Sequence, residues 1–345
     1  MVGVDYFIGS KQVFVDFLER IKPEDKIAIL THIDLDGISS ALFLEKILES
    51  RGHKVEFLDF INYQKGMFDK PIKDLRDKKI TKVFLTDINA DNFIDEFDKF
   101  RREFDSLLID HHPANSELKN KKNIIKTISN DCIGFVMYEY GRDFFNTEGW
   151  EWLLDATLVS EFSFKNKKHM DYLKGKYSGI GEGDPINSEP GKMAITIDYA
   201  LKYDDDFSRV YNLIRKKDFD SLRKSYSVVN GEFEKLFFKY EKEAEFYSEK
   251  RLHFFFCKKP RFNVTSAVIT AISKKNKDIY CIAYERSKGF VRLNFRNQGD
   301  EEDMNLLVKK GIAGLDGSTG GGHFNAAAAM VKKEDYEKFK ENILR

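Results

Sequence analysis

The chain has 345 residues, which is enough for two domains that each bury a core of their own. Its 57 basic and 57 acidic residues give a formal net charge of zero, so overall charge does not indicate a nucleic-acid or membrane binder, and any anion site must be local. The three cysteines, Cys132, Cys257 and Cys281, form no CxxC pair, so the sequence supports neither a disulfide framework nor a structural zinc site.

The N-terminal stretch MVGVDYFIGSKQVFVDF is interrupted by Asp5, Lys11 and Asp16 and therefore lacks the apolar region of a signal peptide. No apolar run approaches the ~20 residues of a membrane span. We therefore expect a soluble, cytoplasmic protein with no membrane partner.

The next segment predicts a buried strand, a turn and a helix. The apolar run KIAIL precedes THIDLDG at 31–37, and ISSALFLEKIL follows with apolar residues at helical spacing. The turn contains His32, Asp34 and Asp36, and such a concentration of titratable groups is costly unless something pairs with them. Either Asp34 or Asp36 caps the helix, or the turn contributes to a metal site, and this stretch alone leaves both open.

Two later strands also end in acidic or histidine residues. After the short strand KVEFLDF, the strand in ITKVFLTDIN ends at Asp87, a helix DNFIDEFDKFRREF follows, and the strand SLLI ends at Asp110, His111 and His112. Alternating strands and helices predict a parallel, doubly wound sheet with right-handed crossovers. Ligands bind at the carboxyl ends of the strands in such sheets, so we expect these side chains to share one edge.

The side chains predicted at this edge suit a metal centre, and they are His32, Asp34, Asp36, Asp87, His111 and His112. Without a cation the carboxylates would repel one another and raise their own pKa values. Carboxylates with imidazoles suit Mn²⁺, Fe²⁺, Co²⁺ or Zn²⁺, whereas Ca²⁺ prefers oxygen ligands alone. A set of this size suits two ions, which at a separation of roughly 3.5–4 Å can activate water and stabilise a phosphoryl displacement.

The order and spacing of THIDLDGISSA, LTDIN and LIDHHPAN resemble the DHH phosphoesterases, and the HxDxDG form of the first motif looks closer to the RecJ-like branch than to the nano-RNase branch. The resemblance implies two Mn²⁺ ions, with Mg²⁺ or Co²⁺ as possible replacements. It implies these ligands: His32 and Asp34 on one ion, Asp36 and His111 on the other, and Asp87 as the bridge.

The resemblance also implies that His112 contacts the reacting phosphate and that Asp110 orients its neighbours. The family supplies a further Asp ligand after a segment like ISNDCIGFVMYEYG, and here WLLDATLVSEFSF places Glu161 at that position, with Asp155 as the other candidate. Six residues apart on a helix, the two side chains point about 240° apart, so only one can face the metals. We assign Glu161, whose longer side chain alters the metal geometry.

The middle of the chain carries less information. Residues 165–191, KNKKHMDYLKGKYSGIGEGDPINSEPG, are rich in Gly, Pro and Lys and predict an exposed loop. Helical stretches follow, of which the longest, SVVNGEFEKLFFKYEKEAEFYSEKR, serves as a connector. We expect the basic clusters at 165–168 and 215–217 to be solvated.

From residue 251 we predict the short strands LHFFFC, SAVITAI (near a helix), DIYCIAYE and GFVRLNFRN, the last two as a hairpin. In GLDGSTGGGHFNAAAAM, residues Gly320, Gly321 and Gly322 predict a loop before a helix start, with N–H groups available to an anion. This region resembles the DHH-associated C-terminal domain, in which Arg296 and His323 would hold a substrate phosphate.

The sequence thus predicts an α/β protein with a doubly wound parallel-sheet DHH catalytic domain (1–165), a mostly helical connector (166–250) and a smaller α/β substrate-binding domain (251–345). The expected activity is Mn²⁺-dependent hydrolysis of short single-stranded RNA or DNA, or of strand ends, to mononucleotides, as in a nano-RNase or RecJ-like exonuclease. Alternatives are a 3′-phosphoadenosine 5′-phosphate phosphatase, a cyclic-dinucleotide phosphodiesterase, or a non-catalytic RecJ-like replication partner. A homodimer is left open.

Overall fold

The computed structural model of the protein describes residues 3–180, 185–204, 206–286, 289–299 and 301–345. The chain divides into two compact units, residues 1–223 and residues 224–345. Within the described ranges, no helix combines the length and the apolar composition needed to cross a membrane.

The first unit is built on a six-stranded sheet. Its strands are β1 (Tyr6–Ile8), β2 (Ile27–His32), β3 (Val55–Ile61), β4 (Lys82–Thr86), β5 (Asp105–Asp110) and β6 (Ile124–Thr127). Their order is β1-β6-β5-β4-β2-β3, and every pair is parallel except β1 with β6. The carboxyl ends of β2, β4 and β5 are therefore neighbours at one edge of the sheet.

Helices cover both faces of this sheet. They are α1 (Lys11–Glu19), α2 (Leu35–Ser50), α3 (Asp69–Lys78), α4 (Ile94–Glu103), α5 (Ile133–Gly141), α6 (Glu151–Ser160), α7 (Lys167–Lys176), α8 (Glu189–Asp204) and α9 (Phe207–Arg215). Along β2, Ile27 and Ile29 pack into one apolar core, whereas Ala28 and Leu30 pack into the other. This confirms the predicted doubly wound sheet, since a strand buried on both faces shows this continuous apolar run.

The exposed loop predicted at 165–191 is wrong for its first part, which forms α7. His169 and Leu173, four residues apart, are buried, and His169 Nε2 lies 2.8 Å from Asp131 Oδ1. One face of α7 is therefore buried although lysines surround it. The Gly-, Pro- and Lys-rich composition of the segment hid this amphipathic pattern in the sequence. Residues 181–184 of that prediction lie outside the described ranges.

Helix α10 (Phe219–Glu243) runs across the division between the units. The second unit contains β7 (Glu245–Tyr247), β8 (Leu252–Cys257), β9 (Ile279–Arg286), β10 (Phe290–Arg296), β11 (Thr319–His323) and β12 (Ala326–Lys332), with α11 (Thr265–Ser273), α12 (Met304–Gly311) and α13 (Tyr336–Leu344). The sheet order is β11-β12-β10-β9-β8-β7. Only the pairing of β8 with β9 is parallel among the described strands of this sheet, and β9 pairs with β10 in the antiparallel sense predicted for a hairpin.

Two predicted elements of this unit are wrong. SAVITAI forms α11 and not a strand, because Val268, Ile269 and Ile272 are buried at helical spacing although their branched side chains favour strands. The glycine-rich stretch and the alanines after it form the paired strands β11 and β12, not a loop and a helix start. A side chain at Gly322 would place Cβ 2.3 Å from the carbonyl oxygen of Ala326, so the close approach of these strands requires glycine.

Candidate metal centre

A buried hydrogen-bond network fixes the turn between β2 and α2. Thr31 Oγ1 donates to the carbonyl of Gly37 (2.7 Å), Thr86 Oγ1 donates to Thr31 Oγ1 (2.9 Å), and Ser40 Oγ donates to Thr86 Oγ1 (3.0 Å). A Cβ atom at Gly37 would lie 2.2 Å from the carbonyl oxygen of His32, so only glycine fits. The first motif is thereby held against the end of β4, which Asp87 directly follows.

Asp34 serves as both helix cap and partner of a histidine. Its Oδ1 accepts from the backbone N–H of Gly37 (3.0 Å) at the start of α2, and its Oδ2 lies 2.7 Å from His32 Nδ1. Asp34 can therefore cap the helix and still take part in a metal site, the two roles that the sequence left open. His32 Nδ1 is also 3.6 Å from Asp87 Oδ2. Burial alone would lower the pKa of His32, but Asp34 and Asp87 outweigh burial and raise that pKa to about 10.

Asp87 lies at the centre of the site, directly after β4. It is buried, it adopts a left-handed backbone conformation (φ 56°), and its N–H donates to the carbonyl of Ile109 (2.9 Å). Neither carboxylate oxygen has a hydrogen-bond partner among the described residues. Burial would raise the pKa of Asp87, but His111 and His32 bring that pKa below its ordinary range. A buried, charged carboxylate without a hydrogen-bond partner is costly, and a divalent cation is a partner that fits it.

His111 presents one ring nitrogen to this carboxylate. Its Nδ1 lies 2.9 Å from the carbonyl oxygen of Ser129, to which it can donate, so Nε2 is free to bind a metal. The Nε2 atom is 3.4 Å from Asp87 Oδ1 and 3.6 Å from Asp36 Oδ2. The third motif therefore reaches both carboxylates.

Asp36 is fully buried in the first turn of α2 and binds the beginning of α5. Its carboxylate oxygens accept from the N–H groups of Ile133 (2.8 Å) and Gly134 (2.6 Å). Burial, and then the neighbouring charge of Asp87, raise the pKa of Asp36 to about 7. A metal ion beside Asp36 would keep it ionised at neutral pH.

Asp110 contacts His112, since its Oδ1 lies 2.8 Å from His112 Nδ1. Its Oδ2 accepts from the fully buried Lys126, which also donates to Asp91 (2.5 Å). Burial would raise the pKa of Asp110, but His112 and Lys126 lower it. Asp110 thus remains charged and fixes the ring of His112.

Tyr63 was missed by the sequence analysis. It lies two residues beyond the end of β3 and stacks on His32, with ring centroids 4.1 Å apart and an interplanar angle of 6°. Its hydroxyl donates to the backbone carbonyl of Asp87 (2.8 Å) and is 3.4 Å from His112 Nε2. Burial, followed by the charge of Asp87, raises the pKa of Tyr63, so the phenol stays neutral. Its position after a parallel strand was the only signal in the sequence.

Glu161 and Asp155 have different surroundings. Burial raises the pKa of Glu161 well above its usual range, and the charges of Asp34 and Asp36 raise it further. Asp155 Oδ2 instead accepts from Lys176 Nζ (2.6 Å) and from the Tyr177 hydroxyl (2.7 Å). The negative charges of the acidic cluster therefore act on Glu161, whereas Asp155 is paired with the cation Lys176.

Among the described residues, two groups of closely spaced candidate ligand atoms share Asp87. One consists of His32, Asp34 and Asp87, and the other of Asp87, His111 and His112. In each group the candidate ligand atoms lie within 4.8 Å of one another. Mixed carboxylate and imidazole donors fit first-row divalent ions such as Mn²⁺.

In the second unit, Arg296 ends β10 opposite Ala326 of β12, and Ala326 in turn lies opposite His323 of β11. Paired residues share one face of a sheet, so the small alanine separates the two larger side chains. Arg296 Nε is buried without a hydrogen-bond partner among the described residues, and burial lowers the pKa of Arg296. His323 is exposed. Gly320, Gly321 and Gly322 belong to β11, beside His323.

Two family models match the chain. The model of the DHH family, N-terminal domain, matches residues 26–179, and the model of the DHHA1 domain matches residues 257–345. Together they span well over half of the chain. No curated protein matches it in sequence.

Solved structures share the fold at low sequence identity. RecJ from Thermus thermophilus, in complex with Mn²⁺, superposes with a TM-score of 0.66 at 12% identity, over 97% of this chain and 54% of RecJ, so the chain spans about half of that protein. CDC45 from Entamoeba histolytica gives 0.61 at 10% identity over 97% of both chains. An exopolyphosphatase-related protein from Bacteroides fragilis gives 0.55 at 19% identity, over 98% of this chain and 96% of the other.

The motifs at the edge of the first sheet, the two matched models and the shared fold agree. The chain belongs to the DHH family, with an N-terminal DHH domain and a C-terminal DHHA1 domain.

Proposed function

We propose that this protein is a metal-dependent phosphodiesterase that hydrolyses short single-stranded nucleic acids, or the ends of longer strands, to mononucleotides. The observation that carries the proposal is the carboxylate of Asp87, buried and without a hydrogen-bond partner among the described residues, beside His32 and His111. A site built this way binds divalent cations, and paired cations suit phosphoryl transfer.

In this proposal His32 and Asp34 would hold one Mn²⁺ ion, Asp36, His111 and Glu161 would hold the other, and Asp87 would be shared. When bound, the ions supply positive charge for the phosphoryl oxygens and lower the pKa of water. Mg²⁺ and Co²⁺ are the other ions to test.

The groups around the ions are assigned to the substrate. His112 is held by Asp110 at Nδ1, and we assign its ring to contact with the reacting phosphate. The boundaries we propose keep residues 1–165 as the catalytic domain and 166–250 as the connector, with 251–345 binding the strand. Within that last domain Arg296 and His323 would hold a phosphate of the strand end, with the strand of Gly320, Gly321 and Gly322 beside them.

The likeness to RecJ favours nucleic acid as the substrate class. The exopolyphosphatase-related structure has the same fold, so inorganic polyphosphate belongs in the substrate panel. The same holds for 3′-phosphoadenosine 5′-phosphate and cyclic di-AMP. A non-catalytic role is the alternative from another class, and against it stand the two groups of candidate metal-ligand atoms at the sheet edge.

The test uses protein stripped with a chelator and reloaded with Mn²⁺, Mg²⁺ or Co²⁺. We expect Mn²⁺ to restore release of mononucleotides from short RNA or DNA. Asp87→Asn keeps the shape of the side chain but removes its charge. It should lower the rate by more than about 100-fold, since bound metal ions contribute several kcal/mol of transition-state stabilisation. Folded protein that hydrolyses none of these substrates with any of the three ions would refute the enzyme assignment and leave the non-catalytic role.

A further inference from the structure

The second unit contains a groove outside the family motifs. One wall is the face of α10 that carries Val228, Gly231, Glu232, Lys235, Leu236 and Lys239. The other wall is the segment 257–262, which starts at the last residue of β8 and leads toward α11. The groove has a volume of about 460 Å³. The residues on α10 recur at intervals of three and four, so they form one stripe along about 16 Å of the helix.

The groove is strongly basic although the whole chain is neutral. Its cationic side chains are Lys235, Lys239, Lys258, Lys259 and Arg261, and all five are exposed. Glu232 is the only carboxylate in the described lining. Lys239 also lies 3.6 Å from Glu243, whereas no ion pair involves Lys235, Lys258 or Lys259 within the described ranges. The excess of positive charge is therefore local and largely uncompensated.

The two walls are fixed relative to each other. The backbone N–H of Arg261 donates to Glu232 Oε1 (2.5 Å), which joins the segment 257–262 to α10 and engages the single carboxylate. The floor is apolar, because Leu236, Cys257 and Phe262 are buried. Cations thus line both rims of a preformed apolar channel, and this geometry matches a continuous polyanion better than an isolated phosphate.

We propose that this groove binds the sugar-phosphate backbone of single-stranded nucleic acid without sequence preference. The choice of nucleic acid over an acidic protein segment rests on the proposed function, since the enzyme would need to retain the strand whose end it processes. Proteins that bind single strands combine a positive groove with apolar contacts, as found here. The lysines contact phosphates, and the apolar floor contacts sugars and bases.

The test measures binding of the full chain, stripped of metal and kept in chelator so that the strand survives. A labelled oligothymidylate or oligouridylate of about 20 nucleotides is titrated by fluorescence anisotropy at several salt concentrations. The triple variant Lys235→Gln, Lys258→Gln, Lys259→Gln should bind about 10- to 100-fold more weakly at ~0.1 M salt. The slope of log affinity against log salt should become shallower by about 2, since each phosphate contact on a single strand contributes about 0.7.

A matched control removes three exposed lysines elsewhere in the same unit, Lys274→Gln, Lys277→Gln and Lys309→Gln. It changes the net charge equally and should leave the salt slope unchanged. In the opposite direction, Glu232→Gln removes the carboxylate but keeps an oxygen that can accept from Arg261 N–H, so binding should tighten. Because every substituted lysine is exposed, thermal melting should confirm that both triple variants remain folded.

Equal weakening in the groove variant and the control would overturn the proposal, because general electrostatic attraction would then explain the binding. So would a groove variant that loses binding to polyglutamate but not to nucleic acid, since the groove would then serve an acidic protein. If the groove variant alone loses nucleic acid while the parent hydrolyses no phosphodiester, the groove stands and the enzyme assignment fails. If the parent hydrolyses oligonucleotides and the groove variant binds them normally, only the groove proposal fails.

Discussion

Tyr63 lies parallel to the ring of His32, with ring centroids 4.1 Å apart, and its hydroxyl donates to the backbone carbonyl of Asp87. One side chain outside the expected motifs therefore restrains groups from two of them. The stack restricts rotation of His32, and the hydrogen bond restrains the left-handed backbone at Asp87.

The two contacts of Tyr63 can be separated by substitution. Tyr63→Phe removes the hydroxyl and should weaken Mn²⁺ binding by about 2- to 12-fold, the value of one hydrogen bond of about 0.5–1.5 kcal/mol. Tyr63→Ala also removes the stack and should weaken it by about 10- to 100-fold, as losses of supporting groups do. Calorimetric titration with Mn²⁺ measures both. Parent-like affinity in the alanine variant would show that the aromatic ring has no part in the site.

The raised pKa of His32, about 10, predicts opposite pH trends for the empty and the loaded protein. A histidine whose pKa rises on folding stabilises the fold fully below about pH 6.5, and this contribution disappears as pH rises toward 10. The melting temperature of chelated protein should therefore fall across this window. Mn²⁺ must displace the proton, so its affinity should rise with pH by up to about tenfold per unit.

His32→Gln, which cannot become cationic, supplies the control for that pH series. It should flatten the pH dependence of melting in chelator between about pH 7 and 9. An unchanged profile would assign the titration to another group.

Glu161→Gln and Asp155→Asn test the fourth ligand. The first substitution should weaken binding of one Mn²⁺ ion by at least about tenfold, because it removes a carboxylate that can bind the ion in its ionised form. The second should leave metal affinity near that of the parent but lower stability, since Asp155 is buried and paired with Lys176. If Asp155→Asn weakened metal binding more than Glu161→Gln did, the ligand would be assigned to Asp155.

Lys126 is a buried cation between two buried carboxylates, Asp110 and Asp91. Lys126→Met should lower the free energy of unfolding by about 3–5 kcal/mol, because it leaves buried charge without compensation. The control Lys11→Met breaks a solvent-exposed pair with Asp143 and should cost only about 0–1 kcal/mol. Urea denaturation of metal-free protein compares the two, and equal costs would mean that the buried network does not stabilise the fold.

Arg296→Ala and His323→Ala separate substrate holding from chemistry. Each should slow hydrolysis of a dinucleotide by about 10- to 150-fold, the effect of losing one charge-assisted hydrogen bond of about 1.5–3 kcal/mol. Neither should affect bis-p-nitrophenyl phosphate, which is too short to need a second anchor. Equal losses on both substrates would instead place these side chains in the chemical step.

The sheet edge was predictable because parallel topology leaves little freedom. Once β2, β4 and β5 are neighbours, the residues after them must meet, and this brings His32, Asp87 and His111 together. Tyr63 follows the same rule, but an isolated tyrosine has neither the charge nor the spacing that marks a metal ligand. The sequence analysis did not identify Lys126, because its partners, Asp110 and Asp91, are distant in sequence.

In the second unit, local composition was misleading. The alanines at 326–329 favour helix by intrinsic propensity, yet pairing with β10 on one side and β11 on the other makes them a strand. The β-branched residues of α11 favour strand by intrinsic propensity, yet this segment is a helix. Each error arose where tertiary pairing outweighs a weak local preference.

The two N–H groups that α5 directs at Asp36 also bear on the order of assembly. These donors compensate part of the carboxylate charge from within the polypeptide, so α2 and α5 can dock before any ion arrives. Binding of the proposed ions would then be a late event on a finished scaffold, unlike in small zinc domains, whose chain folds around its ion. The ions could consequently be exchanged without refolding, and the supply of metal in the surroundings would decide which one occupies the centre.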